Sequence, residues 1–151
     1  ILLAKTSTIL YILLLYYKNM YIGKMMKKPF IKMHGLGNDF VVIDSTKNQY
    51  VINKESVQKI SDRRLGIGCD QLIEIKHSEK EDIFMKIYNS DGTEAEACGN
   101  AARCVAGLLF ASNQKKEVSI ETVAGVLKAE SEEDGLIKVD MSFKTLLVLS
   151  S

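Results

Sequence analysis

The chain has 151 residues, of which 46% are hydrophobic and 26% charged, and its formal net charge is +1. This length suits one domain with a sizeable core, and a charge so close to balance argues against a nucleic-acid-binding surface. Three cysteines without CxxC spacing and only two histidines argue against a disulfide framework and a zinc site. A reducing, cytoplasmic setting is therefore expected.

Residues 1–26 differ in composition from the rest of the chain. They hold four of the six tyrosines, three lysines and no acidic residue, and their longest uncharged run, residues 6–17, has 12 residues. As a helix this run would span roughly 18 Å, short of the ~30 Å of a bilayer's hydrocarbon core, and no small-residue cleavage site follows it. We predict a non-native or upstream extension, with Met25 or Met26 as the start of the protein. A membrane anchor is the alternative.

The pattern from residue 27 onward predicts a compact domain of about seven strands and two helices. Short runs of β-forming residues, several with alternating polar and apolar side chains, indicate the strands. The predicted strands cover residues 29–33, 39–44, 72–75, 83–88, 118–123, 126–130 and 136–143. A glycine-rich turn at residues 34–38 and the Asp134-Gly135 pair predict two hairpins.

The first predicted helix is capped by Asn53 and runs through Arg64, where a Gly-Ile-Gly turn ends it. One face of this helix carries Val57, Ile60 and Arg64-Leu65.

The second predicted helix begins at Cys98 and closes near Asn113. Residues 101–110 are apolar almost all the way round the helix, which indicates a buried helix. A curved sheet of largely antiparallel strands covers such a helix more simply than a doubly wound parallel sheet, which would need more crossover helices. We therefore predict an α+β fold in which a curved, mostly antiparallel sheet wraps around one buried central helix.

Cys98 lies where this central helix begins. The unpaired backbone N–H groups and the positive end of the helix dipole favour a thiolate at such a position. Gly99, the next residue, lets a ligand approach the backbone closely. Free cysteines are more often inert packing, and Cys104, in the middle of the helix, is assigned to that class. Cys98 is the candidate reactive cysteine.

Uncharged amide side chains recur in the turns of this sequence. The positions are Asn38, Gln71 and Asn89, and a further amide, Asn100, lies beside Cys98. Neither glycine-rich stretch before the first two has the third glycine of a dinucleotide fingerprint, and no P-loop pattern occurs. Amides donate and accept hydrogen bonds, which suits a zwitterionic ligand. Asn is also common in turns for conformational reasons, so only convergence on Cys98 would decide between the two interpretations.

Three motifs in the same order resemble the N-terminal half of the diaminopimelate epimerase family. They are KMHGLGNDFVVID at residues 32–44, RRLGIGCDQL at 63–72 and YNSDGTEAEACGNAARC at 88–104. The resemblance implies interconversion of LL- and meso-diaminopimelate, without cofactor or metal, in bacterial lysine and peptidoglycan-precursor synthesis. It also implies a fold of two similar domains with the active site in the cleft between them, and homodimers of full-length members.

Carried over position by position, the resemblance makes Cys98 one of two catalytic cysteines. The backbone N–H groups of Gly99 and Asn100 would hold the substrate α-carboxylate at the helix N-terminus. The side chains that would contact the substrate are those of Asn38, Gln71 and Asn89. Cys69 stands where the family tends to have Phe or Ala, which favours packing as its role, and Ala101 stands where many members have Gly.

The chain departs from the family in length, because nothing similar to a second catalytic motif follows residue 141. Epimerisation at an α-carbon needs two acid/base groups, one on each face of the carbon. The expected organisation is an extension at residues 1–26, an N-terminal epimerase domain at 27–143 and a divergent tail at 144–151. The isolated chain is therefore expected to be inactive.

Three other functions stay open on the sequence. The chain could be a non-catalytic amino-acid-binding module, or an isomerase related to the proline racemases, although the MHGLGNDF stretch favours diaminopimelate. A thiol redox protein would use Cys98 with Cys104, but six helical residues place these roughly 9 Å apart along the helix axis, too far for a disulfide.

Overall fold

The computed structural model describes residues 20–21, 27–113, 115–133 and 135–142. The uncharged run at residues 6–17, most of the predicted extension and the predicted tail at 144–151 lie outside these residues. Within the described part of the chain, no helix has the length and apolar character needed to cross a membrane.

The described residues form two helices and ten strands. The helices are α1 (Lys54–Ser61) and α2 (Gly99–Asn113). The strands are β1 (Met20–Tyr21), β2 (Lys27–Lys28), β3 (Ile31–Gly35), β4 (Asn38–Asp44), β5 (Gln71–Lys76), β6 (Ile83–Asn89), β7 (Glu94–Ala95), β8 (Glu117–Thr122), β9 (Gly125–Ser131) and β10 (Ile137–Asp140). All seven predicted strands are present within a few residues of their expected bounds, and the three two-residue strands β1, β2 and β7 were not predicted.

One eight-stranded sheet dominates the fold, with the strand order β10-β9-β8-β6-β5-β4-β3 and β7 paired to β6. Its pairings are antiparallel except for β4 with β5 and β6 with β8. A parallel pair needs a crossover connection, and α1 and α2 lie in these two connections. The predicted α+β fold with a mostly antiparallel sheet around a central helix is confirmed, although the sheet is mixed.

The central helix α2 is buried over most of its first half, half-buried at residues 108–110 and exposed at its end. Residues 101–107 are buried, whereas residues 111–113 are exposed. The buried part packs in one core with alternate residues of the strands, such as Phe40 and Val42. The strand residues between them, such as Val41 and Ile43, pack in a second core beneath α1. The central strands are therefore buried on both faces.

Helix α1 begins as predicted but ends earlier. The Asn53 side chain accepts a hydrogen bond from the Ser56 N–H, and the Ser56 Oγ accepts one from the Asn53 N–H, each at 2.9 Å. The helix ends at Ser61 rather than Arg64, because Asp62 Oδ1 accepts hydrogen bonds from the backbone N–H groups of Arg64 and Leu65. Leu65, which the sequence placed near the helix face of Val57 and Ile60, lies beyond the end of α1 and is 92% exposed.

The predicted hairpin between β3 and β4 is confirmed. Gly35 pairs with Asn38, and the two residues between them, Leu36 and Gly37, have φ angles of 54° and 87°. Two consecutive positive φ angles are typical of the two-residue turn that matches the twist of antiparallel strands. This tight turn places Asn38 at the very start of β4.

Candidate active site

Cys98 is the residue from which α2 begins. Its carbonyl oxygen accepts the first helical hydrogen bond, from the Ala102 N–H at 2.9 Å, while its side chain is half-buried. The backbone N–H groups of the first helical residues, Gly99 and Asn100, have no acceptor within the helix. The first turn of α2 carries no acidic side chain. The helix terminus is therefore suited to a negatively charged group.

The other two cysteines are placed differently. Cys104 is 1% exposed, and burial raises the pKa of its thiol to about 12. Cys69 is 2% exposed, and burial likewise raises its pKa, although its thiol donates a hydrogen bond to Ser61 Oγ at 3.4 Å. All three thiols are free. Cys98 is therefore the one cysteine of this chain that a ligand can reach without rearrangement.

Strand pairing brings the predicted amide residues to one edge of the sheet. Asn38 begins β4, Gln71 begins β5 and Asn89 ends β6, so all three lie at the same end of three adjacent strands. Gln71 is the register partner of both Phe40 and Asn89. The sequence could not show this convergence, because it depends on the parallel pairing of β4 with β5.

Two side-chain contacts link these residues. Asn38 Nδ2 donates to Cys98 Sγ at 3.8 Å, and Gln71 Nε2 donates to Asn89 Oδ1 at 3.0 Å. Asn89 Nδ2 in turn donates to Thr93 Oγ1 at 3.1 Å. Gln71 Oε1 is buried and has no hydrogen-bond partner among the described residues. The Asn38 amide is thus aimed at the thiol, and Gln71 retains an unused acceptor.

Asn100, on the first turn of α2, is held by its own helix. Its Oδ1 accepts a hydrogen bond from Nη2 of Arg103, a side chain that is only 1% exposed. The Asn100 side-chain oxygen is therefore already paired within the helix. Arg103 is a charged residue within the otherwise apolar run at residues 101–110, and its buried position was not predicted.

A charged network beside the site was also missed by the sequence analysis. It consists of Lys32, Asp39, Arg63 and Asp70, and we call it the charge network. Asp39 follows Asn38 and Asp70 precedes Gln71, so two of its four members adjoin predicted site residues. That adjacency of acidic residues to both amides is the signal in the sequence that could have revealed it.

The described residues hold no group of three or more His, Cys, Asp or Glu side chains placed to bind a metal ion. The chemistry that the arrangement itself offers is proton transfer by an accessible thiol beside a helix N-terminus. The helix N–H groups supply an anion site, and the amides supply mixed donors and acceptors.

Comparison with known proteins places this arrangement in a family. A family model described as diaminopimelate epimerase matches residues 30–146. Over 117 residues the chain is 52% identical to a diaminopimelate epimerase from Carboxydothermus hydrogenoformans, covering 74% of this chain and 43% of that protein. A diaminopimelate epimerase from Rhodospirillum centenum is 45% identical over 118 residues, covering 77% of this chain and 40% of that protein. The chain thus spans less than half the length of these relatives.

Solved structures support the same fold. A hydroxyproline epimerase from Agrobacterium vitis superposes with a TM-score of 0.53 at 14% identity, over 73% of this chain and 40% of that one. A Bacillus anthracis protein of the PhzF phenazine-biosynthesis family superposes with a TM-score of 0.52 at 22% identity, over 73% and 37%. On its sequence match, the chain belongs to the diaminopimelate epimerase family.

Proposed function

We propose that this chain supplies one wall of a diaminopimelate epimerase active site, in which Cys98 exchanges the α-proton of the substrate. The observation that carries the proposal is the placement of Cys98. This half-buried residue begins α2, and Asn38 Nδ2 lies 3.8 Å from its sulfur. Cys69 and Cys104 are buried, so they are not alternatives for this role.

The proposed step begins when the Cys98 thiolate takes the α-proton and becomes a thiol. The electron pair of the broken C–H bond stays on the α-carbon of the substrate, which becomes a carbanion. The N–H groups of Gly99 and Asn100 bind the α-carboxylate, where charge develops during the step. Asn38, Gln71 and Asn89 bind the polar groups of the zwitterion. No cofactor is required in this scheme, because thiol and substrate exchange only a proton.

The second half of the reaction needs a proton donor on the opposite face of the carbon. In this proposal that donor is supplied from outside these 151 residues. The isolated 151-residue chain is then expected to bind diaminopimelate without epimerising it.

A chimera tests the assignment of Cys98. Residues 30–146 of this chain replace the matching segment of the Carboxydothermus hydrogenoformans relative, and α-deuterium incorporation into diaminopimelate is followed in deuterated water. We expect exchange in the chimera and a loss of about 10²- to 10⁴-fold in its Cys98→Ala variant. Cys69→Ala in the same chimera is the matched control and should keep its rate. Undiminished exchange after Cys98→Ala would refute the role.

The isolated chain provides a second test. Calorimetric binding of diaminopimelate without interconversion of its LL and meso forms is the expected result, and it would equally fit a non-catalytic binding module. Epimerisation by the isolated chain at the rate of the chimera would contradict the one-wall proposal. Faster exchange of proline than of diaminopimelate by the chimera would favour the proline-racemase-like alternative.

A further inference from the structure

The charge network joins the start of β4, which carries Asn38, to the start of β5, which carries Gln71. Arg63 donates from Nη1 to Asp39 Oδ2 at 3.0 Å and from Nη2 to Asp39 Oδ1 at 2.8 Å. The same Nη2 donates to Asp70 Oδ1 at 2.8 Å. A guanidinium that grips one carboxylate with two nitrogens fixes the orientation of that carboxylate as well as its distance.

The two carboxylates also bind each other's backbone. The Asp70 N–H donates to Asp39 Oδ1 at 2.9 Å, and the Asp39 N–H donates to Asp70 Oδ2 at 3.0 Å. Lys32 Nζ adds an ion pair to Asp39 Oδ2 at 2.7 Å and also donates to the carbonyl of Gly68. Partial burial acts to raise the pKa of Asp39, but the hydrogen bonds from Arg63, Lys32 and Asp70 outweigh it and hold that pKa well below its usual range.

Fixing these two aspartates fixes the residues that adjoin them. Asn38 and Asp39 are the first two residues of β4, and Asp70 immediately precedes β5. The register of the two strands follows directly, since Phe40 is the partner of Gln71. The network therefore acts on the strand ends from which the Asn38 and Gln71 side chains reach the site.

The position of Arg63 argues against a mainly stabilising role. Its side chain is 59% exposed and lies outside both hydrophobic cores. Ion pairs this exposed contribute little to global stability, and the β4–β5 pair is held by the buried residues on its two faces. Gly68, with a φ of 78°, leaves room for Arg63, because a Cβ built there would lie 3.0 Å from the Arg63 Cα and Cγ. The loop is thus shaped around this arginine.

We propose that Arg63 is a positioning residue, which acts through Asp39 and Asp70 to hold the Asn38 amide against the Cys98 thiol and Gln71 against Asn89. This inference rests on the proposed function for its biological meaning. Its geometry can be tested without substrate, because the Cys98 thiol reports directly on the Asn38 contact.

The test uses the full 151-residue chain and measures alkylation of Cys98 by iodoacetamide between about pH 6 and pH 10. Trypsin places the three cysteines in separate peptides, residues 65–76, 87–103 and 104–115, so each thiol is followed by mass spectrometry. We expect Arg63→Met to slow Cys98 alkylation near neutral pH by about three- to tenfold, because the thiolate loses its amide donor. The Cys98 alkylation rate of Arg63→Lys should fall between those of the wild type and Arg63→Met. The matched control, Arg64→Met, alters an exposed arginine in the same loop and should leave the rate unchanged.

A double-mutant cycle identifies the route of the effect. Asn38→Ala alone should slow Cys98 alkylation as much as Arg63→Met does, and the double variant should be no slower than either. Additive effects, or an Arg63→Met rate equal to that of the wild type, would overturn the proposal. Asp70→Asn provides a second way to weaken the network, and circular dichroism checks that each variant is folded.

The outcome separates this proposal from the proposed function. Slowed alkylation through Asn38, together with failure of the chimera to exchange deuterium, would keep the positioning role and refute the epimerase assignment. Deuterium exchange that depends on Cys98, together with an alkylation profile unchanged by Arg63→Met, would keep the epimerase assignment and refute the positioning role.

Discussion

Gly99 is the residue at which packing and the proposed chemistry make different demands. A Cβ built on it would lie 3.6 Å from Met141 Sδ, an ordinary van der Waals distance, and its backbone is helical. The fold therefore tolerates alanine at this position. In the proposed site, by contrast, the N–H groups of Gly99 and Asn100 face the substrate carboxylate, and a methyl group would crowd that approach.

Gly99→Ala is expected to preserve stability while weakening ligand binding. Alanine is the better helix former, so the free energy of unfolding should stay the same or rise by up to about 1 kcal/mol. The concentration of diaminopimelate that half-protects Cys98 from iodoacetamide should rise at least about tenfold. Urea unfolding and the tryptic-peptide assay measure the two effects. A variant that unfolds more easily yet is still protected would contradict both arguments.

At the scale of elements, the capping box of α1 is the clearest case in which sequence and structure agree. Asn53→Ala removes the acceptor of the Ser56 N–H and is expected to lower the free energy of unfolding by about 1 kcal/mol. Asn53→Asp should restore most of it. The chain has no Trp, so unfolding in urea is best followed by far-ultraviolet circular dichroism. The matched control is Asn48→Ala in the exposed loop before the helix, and an equal loss there would refute the capping argument.

Local sequence patterns predicted the positions of the helices and strands better than they predicted which strands pair with each other. Alternating residues in β6 and β10 and the cap at Asn53 depend on neighbours in sequence, and these predictions are confirmed. The end of α1 was misplaced because the Asp62 carboxylate competes for the backbone N–H groups that would continue the helix. The parallel pairings could not be read from any local pattern, because they depend on the crossovers that contain α1 and α2.

The candidate site shows the same division. The helix start after Cys98 was predictable from the change in periodicity, and the amides were visible as residue types. The contact of Asn38 with Cys98 was not predictable, because these residues are 60 residues apart in the sequence. The charge network was missed for the same reason, since the partners of Arg63 lie on two different strand ends.

At the scale of the whole molecule, the two hydrophobic cores lie on opposite faces of one sheet, and the charge network lies outside both. Stability at neutral pH therefore has a hydrophobic part that is independent of pH and a smaller part that depends on ionised carboxylates. Among the described residues, Asp39 is the carboxylate whose pKa is most strongly depressed, despite the opposing effect of its partial burial. Loss of its charge in acid is therefore expected to have the largest effect on stability at these strand ends.

The free energy of unfolding should fall as the pH drops below about 4, the usual range of an unfolded aspartate. In this pH range Asp39 is protonated in the unfolded chain but still ionised in the folded chain, where its pKa is lower. The stability that the ionised Asp39 contributes is therefore lost as the pH falls toward the pKa of Asp39 in the folded chain. Asp39→Asn is therefore expected to be less stable by about 1–3 kcal/mol at neutral pH and to approach the wild type in acid. Urea unfolding at a series of pH values measures this. Glu79→Gln, at an exposed position with no hydrogen bond or ion pair described in this part of the chain, should follow the wild-type curve. A constant difference between Asp39→Asn and the wild type across the acid range would mean that the carboxylate acts through its shape and not through its charge.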